Sequence, residues 1–230
     1  MSRADVCVVA CADAWRGDGA VLASPTGLIP RLGARLAQLT FAPDLLLTDG
    51  EATLLREDEA EGWLPYRAVF GVVAAGTRHV MMGASQLDRF GNQNISCIGD
   101  WARPARQLLG VRGAPGNTVN HTTSYWVPRH APRVFVPQVD MVSGVGFDRG
   151  AVEIRVVVTN LAVLDFATPD HSMRLRSVHP GVPVTEVVAA TGFPLVVPSE
   201  VPQTRSPTEA ELALLRDKLD REGLREKEIR

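Results

Sequence analysis

The sequence predicts an α/β fold built on a mixed sheet, and three features carry that expectation. Up to Gly83, short wholly apolar runs closed by turns alternate with helical stripes, the rhythm of βαβ units. Leu45-Leu46-Leu47 opens after Pro43-Asp44 and ends at Asp49-Gly50, the pattern of a strand buried on both faces of a parallel sheet. After Arg133 strand-like runs follow one another with few helical stretches between them, so the sheet should be mixed rather than fully wound.

Taken in order, Asp5 to Trp15 should form a helix and Val21 to Ala23 a strand that breaks at Ser24-Pro25-Thr26-Gly27. Leu28, Leu32, Leu36 and Leu39 make one helical stripe. Tyr66 to Ala75 reads as helix and His79 to Met82 as the next strand, ending at Gly83. Strands are expected at Val134 to Val136, Ile154 to Val158 and Ala162 to Phe166. A short helix from Val184 to Thr191 follows Pro183, with Gly192 as its left-handed stop. Pro194, Pro198, Pro202 and Pro207 mark an extended connection, after which Ser206-Pro207-Thr208-Glu209 has the capping-box pattern and Leu212, Leu215 and Leu219 form a stripe. The expected division is a domain over 1–195, then over 196–230 a proline-rich connection and a C-terminal amphipathic helix packed on the domain or on a partner.

Composition excludes several classes. Apolar residues at 45% against 22% charged suit a compact globular protein. With 24 Lys and Arg against 26 Asp and Glu, no basic field would gather phosphate backbones, and nucleic acid is not an expected partner. No run of about 18 apolar residues occurs and Met1 to Ala12 carries Arg3 and Asp5, so neither a membrane span nor a signal peptide is expected. Cys7, Cys11 and Cys97, an odd number, fit a reducing cytoplasm better than a disulfide framework. Cys7 and Cys11 would share a helix face, but without a CxxC pair or a nearby His they read as small hydrophobes. His79, His130, His171 and His179 lack metal-ligand spacing, and no metal is expected. There is no GxSxG nucleophile elbow.

Ligands of open α/β sheets bind at the carboxyl ends of strands, which gives weight to three polar segments. Thr48-Asp49-Gly50-Glu51 places Asp49 and Glu51 straight after a buried strand, where desolvation favours acid/base work; a solvated Asp-Gly turn would look the same. Gly83 to Asn94 gathers Gln86, Asn92 and Asn94, amides able to orient a carbonyl, or equally a hairpin that satisfies its own backbone. In Gly110 to Trp126, the stretch Gly113-Ala114-Pro115-Gly116-Asn117 can bring backbone N–H groups close to a phosphate or oxyanion. It matches neither a dinucleotide-binding nor a Walker loop, since the glycine spacing differs and Pro115 removes a donor. His121 could serve as a base at neutral pH or as a buried structural histidine.

Taken together these segments resemble the β subunits of class I coenzyme A transferases along nearly the whole chain. GASQLDRFGNQNIS at 83–96 is similar to the family's G-A-x-Q-[IV]-D-x-x-G-N-x-N signature, and IGDWARPARQLLGVRGAPGN at 98–117 to the segment entering its G-x-G-G loop. FVPQVDMVSGVG at 135–146, VVTNLAVLDF at 157–166 and SVHPGVPVTEVVAATGF at 177–193 follow in the family's order. The resemblance implies an open three-layer α/β sandwich with a mixed, mainly parallel sheet, and a homologous α subunit, as in an α2β2 assembly. In the transferases a Glu in an S-E-x-G motif attacks the thioester. Here Asp49 falls on that position and Glu51 lies two residues late; a side chain one methylene short puts the carboxylate about 1 Å out of line, which can cost about a hundredfold.

The TDGEA segment, GVRGAPGNTVNHTTSYW and DHSMR resemble a divergent branch of the family found in bacterial steroid breakdown. That branch uses water: a two-chain CoA hydrolase opens the last steroid ring, a cyclohexenone carboxyl-CoA, by hydrolytic C–C cleavage. The resemblance implies coenzyme A as part of the substrate, no permanently bound cofactor, and the main acid/base Glu on the α chain. Two alternatives stand beside it. A true transferase would move CoA between carboxylates through Asp49 or Glu51, and a non-catalytic scaffold would tolerate substitution at Asp49, Glu51, Asn117 and His121.

Overall fold

The computed structural model describes residues 1–49, 53–56, 59–65, 68, 71, 74–110 and 113–229. The helix expected at 66–75 lies largely outside the described residues, as does Glu51.

The first helix, α1 (Arg3–Asp13), starts two residues before its apolar pattern because Ser2 caps it: Ser2 Oγ accepts from the Asp5 N–H at 3.2 Å and the Asp5 carboxylate accepts from the Ser2 N–H at 2.8 Å. Strand β1 (Leu22–Pro25) runs through the expected break, and α2 (Leu28–Thr40) follows its leucine stripe. The two helices meet closely at Gly33, where a Cβ would lie 2.7 Å from Cys11 Cβ. Cys7 and Cys11 are both fully buried, and burial pushes both thiols up. They are core residues.

The remaining elements are β2 (Leu46–Thr48), β3 (Thr53–Arg56), β4 (Glu59–Trp63), β5 (Arg78–Gly83), β6 (Gln86–Leu87), β7 (Gln93–Asn94), β8 (Cys97–Ile98), β9 (Arg106–Gln107), α3 (Ala114–Asn120), β10 (Thr122–Val127), β11 (Glu153–Thr159), β12 (Ala162–Asp165), β13 (Arg174–Val178), α4 (Val184–Ala189), α5 (Glu209–Leu214) and α6 (Arg225–Glu228). The main sheet has the order β13-β12-β11-β10-β5-β1-β2-β3-β4. Its five central strands are parallel, and two antiparallel strands close each edge. The mixed α/β expectation holds. One core lies under α1 and α2, around Trp15, Leu36 and Met81; the other fills the opposite face, around Tyr125, Phe135 and Leu164. Among the described residues no helix is long and apolar enough to cross a membrane.

Several expectations need correction. Leu46 is 59% exposed, because the strand alternates: Leu45 and Leu47 enter the core beside α2 while Leu46 faces outward. Val134 to Val136 joins no sheet. It crosses Leu87 with two backbone hydrogen bonds, Leu87 N–H to Val134 O and Val136 N–H to Leu87 O, and anchors Phe135 in the second core. The final helix is capped by Thr208 with Glu211 rather than by Ser206 with Glu209, since Arg205 pairs with the Glu211 carboxylate at 2.8 Å and fixes that register. The proline-rich connection lies along the sheet edge, with Leu175 N–H bonded to Val196 O and Thr204 N–H to Val178 O.

Gly192 is not a left-handed stop, as it is absent from the positive-φ positions. Its lack of a side chain serves close approach instead, for a Cβ there would overlap the Phe135 carbonyl oxygen, which accepts from the Gly192 N–H at 2.8 Å. Gly192→Ala should therefore destabilise the fold by about 1–3 kcal/mol. Chemical denaturation would read this as a lower midpoint, and an unchanged midpoint would contradict the packing argument.

After α5 the chain makes one wide turn over Leu215–Leu219 and docks on α1 and α2 with Leu215 fully buried. Glu228 accepts from the Ile29 N–H at 3.0 Å and from Trp126 Nε1 at 2.7 Å. Arg225 lies buried between Asp5 and Asp220, each 2.8 Å away.

Candidate active site

The carboxyl ends of β1, β2 and β5 bring the first and third polar segments onto one face. Asp49, half-buried, turns the chain from β2 into β3: its N–H donates to Thr53 O at 3.1 Å and its Oδ1 accepts from the Thr53 N–H at 3.2 Å. The turn chemistry read from the sequence is thus present.

From Thr48 a line of hydrogen-bonded side chains crosses the sheet. Thr48 Oγ1 reaches Ser24 Oγ at 3.3 Å, Arg78 Nε donates to Ser24 Oγ at 2.7 Å, and Arg78 Nη1 donates to Asn117 Oδ1 at 2.7 Å. Ser24 pairs with Val80 in register, two residues beyond Arg78, so the arginine side chain runs along the strand toward its carboxyl end. Arg78 is 8% exposed, and burial lowers its guanidinium to about 10. Sequence reading missed both Ser24 and Arg78; the available signal was a lone arginine heading the otherwise buried run His79 to Met82.

The Gly113 to Asn117 stretch is not an open loop. Gly113 caps α3, Ala114, Pro115 and Gly116 form its first turn, and Pro115 stands where no intrahelical N–H is required. Asn117 is buried beneath Gly113, its Nδ2 3.9 Å from Met82 Sδ. His121 closes the helix, its N–H bonded to Asn117 O at 2.9 Å, and is buried at the amino end of β10. β10 stands three strands from β2, roughly 14 Å at ordinary spacing, so the sheet does not bring His121 to Asp49.

The second segment folds its amides onto its own backbone and neighbours. Asn94 Nδ2 donates to Gln86 Oε1 at 2.7 Å and to Cys97 O, while Asn94 Oδ1 accepts from the Ser96 N–H. Gln86 Oε1 also accepts from the Asp140 N–H, and its Nε2 donates to the Asp140 carboxylate. Asn92 Nδ2 donates to Asp88 and Asp148, and its Oδ1 accepts from the Gly146 N–H at 2.8 Å. These three residues hold the wall's shape from within. Gln93, not singled out from sequence, keeps a buried Oε1 with no hydrogen-bond partner among the described residues.

On the opposite face, His79 Nδ1 lies 2.7 Å from Asp18 Oδ2 and Nε2 lies 2.9 Å from Ser124 Oγ. The array has the connectivity of a nucleophilic triad, yet Ser124 is fully buried and Asp18 is also paired with Arg155, so it knits strands to the α1 end. Among the described residues no group of three His, Cys, Asp or Glu could hold a metal ion.

Over its whole length the chain is 51% identical to the cholesterol ring-cleaving hydrolase IpdB subunit of Mycobacterium tuberculosis (strain ATCC 25618 / H37Rv), covering 99% of that protein. The chain belongs to the IpdB subunit family. It also superimposes on a chain of the crystal structure of Rhodococcus jostii RHA1 IpdAB with a TM-score of 0.95 and 48% identity, covering 100% of this chain and 99% of that one. Beyond the IpdB family the likeness is one of fold: glutaconate coenzyme A-transferase from Acidaminococcus fermentans gives a TM-score of 0.82 at 22% identity, over 96% and 95% of the two chains. No family model matches the chain. The three-layer, coenzyme A transferase-like sandwich expected from the motifs is thus the fold that IpdB family members adopt.

Proposed function

We propose that this chain is the IpdB-type half of a two-chain hydrolase that opens the last ring of a steroid as its coenzyme A thioester. The observation that carries this is identity near one half, along the full length, to subunits that carry out cholesterol ring cleavage. A homologous α subunit completes the site in an α2β2 assembly, coenzyme A enters as part of the substrate, no cofactor is bound permanently, and the pair works in the cytoplasm.

In this reading a carboxylate removes a proton from water as its oxygen adds to the ring ketone. The C–C bond to the carbon next to the thioester then breaks, that carbon takes the electron pair, and it is finally protonated, so the ketone carbon leaves as a carboxylic acid. The partner supplies the main base. Asp49, at the end of β2, faces the reacting ketone, and the first-turn N–H groups of Ala114 and Gly116 take the thioester or oxyanion side. Asp49 in place of the transferase glutamate favours water over a glutamyl-CoA intermediate.

The test co-expresses both chains and supplies the ring thioester in buffer free of carboxylate acceptors. Turnover with one water added to the product is expected, and Asp49→Asn should lower kcat about a hundredfold. A requirement for acetate or succinate would return the chain to the transferases.

A further inference from the structure

A buried charge is costly unless an opposite charge or strong hydrogen bonds compensate it. Arg225 meets that condition with two aspartates, whereas the hydrogen-bond partners of Arg78 are a serine hydroxyl and an asparagine carbonyl, both neutral. Burial is the one influence that moves its guanidinium, and no carboxylate among the described residues offsets it. The fold therefore holds a fixed cation between the two segments that meet at the carboxyl ends of the strands.

Its contacts also set the orientation of both segments. With Asn117 Oδ1 claimed by the guanidinium, the amide cannot flip, and its Nδ2 is turned toward Met82 Sδ, a weak acceptor, beneath Gly113. On the other side Ser24 Oγ is shared between Arg78 Nε and Thr48, one residue before Asp49.

Resting on the hydrolase reading above, we infer that Arg78 is a positioning residue for the reaction: it locks Asn117 and Ser24 in place and supplies the standing positive charge that favours the anion formed when the C–C bond breaks. An enolate conjugated to a thioester is such an anion, and a preorganised charge in a water-poor site requires no rearrangement as it forms. A purely structural staple would need hydrogen-bond donors to Ser24 and Asn117 but no charge, so its loss would be felt in stability and not in kcat alone.

The experiment uses the co-expressed two-chain complex with Arg78→Met and Arg78→Lys. For Arg78→Met, kcat should fall a hundredfold or more while KM changes less than about threefold, and the melting midpoint of the complex should stay about level, the relief of a buried charge offsetting two lost hydrogen bonds. Arg78→Lys, which keeps the charge, should recover at least tenfold of that loss. A kcat within threefold of the parent for Arg78→Met overturns the inference, and so does a loss of kcat that accompanies a lowered melting midpoint. If Arg78→Met fails to assemble, Arg78→Lys decides: a folded complex more than a hundredfold slower than the parent overturns it, and a smaller loss supports it. The parent complex separates the two readings, since a parent that does not open the ring sinks the hydrolase, while an active parent with indifferent Arg78 variants sinks this inference alone.

Discussion

Acidification from pH 6.5 to 4 should weaken the fold steeply, by up to about 2–3 kcal/mol per pH unit at its steepest from two histidines alone. His130 is stacked on Phe135 and bonded to the hydroxyls of Thr159 and Thr191, and burial holds it down to about 3. His179 donates from Nε2 to Thr159 O, and burial holds it down to about 4. Unfolded, each takes up a proton near 6.5; folded, each refuses it until well below that. The unfolded state therefore binds more protons throughout the interval, so stability is full above pH 6.5 and drains as the pH drops toward 4. His79 acts in the same direction, since burial outweighs its Asp18 partner. Asp88, which burial raises, opposes the trend, because its folded form accepts a proton more readily. Below pH 4 the lowered carboxyls of Asp5, Asp18 and Asp220 extend the loss. Urea midpoints measured at pH 7, 6, 5 and 4 check this, and a flat profile from 6.5 to 5 would count against it.

Arg225→Met should cost about 3–5 kcal/mol, the range for breaking a buried ion pair from one side. Burial alone would push Asp5 and Asp220 up; hydrogen bonds from backbone N–H groups and from Arg225 overcome it and hold both carboxyls low. Without the guanidinium both aspartates stay buried at 3% and 4% side-chain exposure, short of their counter-charge. The C-terminal segment over 208–229 should then loosen from α1, visible as faster amide exchange there and a lower denaturation midpoint. The triple replacement Asp5→Asn, Asp220→Asn and Arg225→Met should recover much of the loss, because removing every charge leaves none uncompensated. A single Arg225→Met as stable as the parent would show that the cluster contributes little.

What could be read from the sequence follows the physics of periodicity. Leu28, Leu32 and Leu36 face one core, so their spacing announces α2, and the continuous buried run His79 to Met82, whose side chains alternate between the two cores, announces β5. The edge strands β3 and β4 escape such reading because one side of an edge needs no apolar residues, as in Glu59-Ala60-Glu61-Gly62-Trp63. Val134 to Val136 has strand composition yet pairs with the single residue Leu87 instead of with the main sheet, which only the tertiary arrangement decides. In the site, Asp49 and Asn117 were legible because position after a strand or a glycine marks them. Ser24 and Arg78 were not, since their contacts join residues 54 and 39 positions apart, and no local pattern encodes that. The family was legible because GASQLDRFGNQN and the segments behind it occur in a fixed order.

The buried pairing of Asp5 with Arg225 also sets a timetable for biosynthesis. The two residues are 220 positions apart, so at about 5–20 residues per second the ribosome delivers the second roughly 10–45 s after the first. Throughout that interval the opening helix can pack on α2 and the sheet, but its aspartate lacks its arginine and the face that Leu215 will cover stands open to water. A chain that lost Arg225 would keep its early βαβ units but leave Asp5 buried at the start of α1 without its counter-charge.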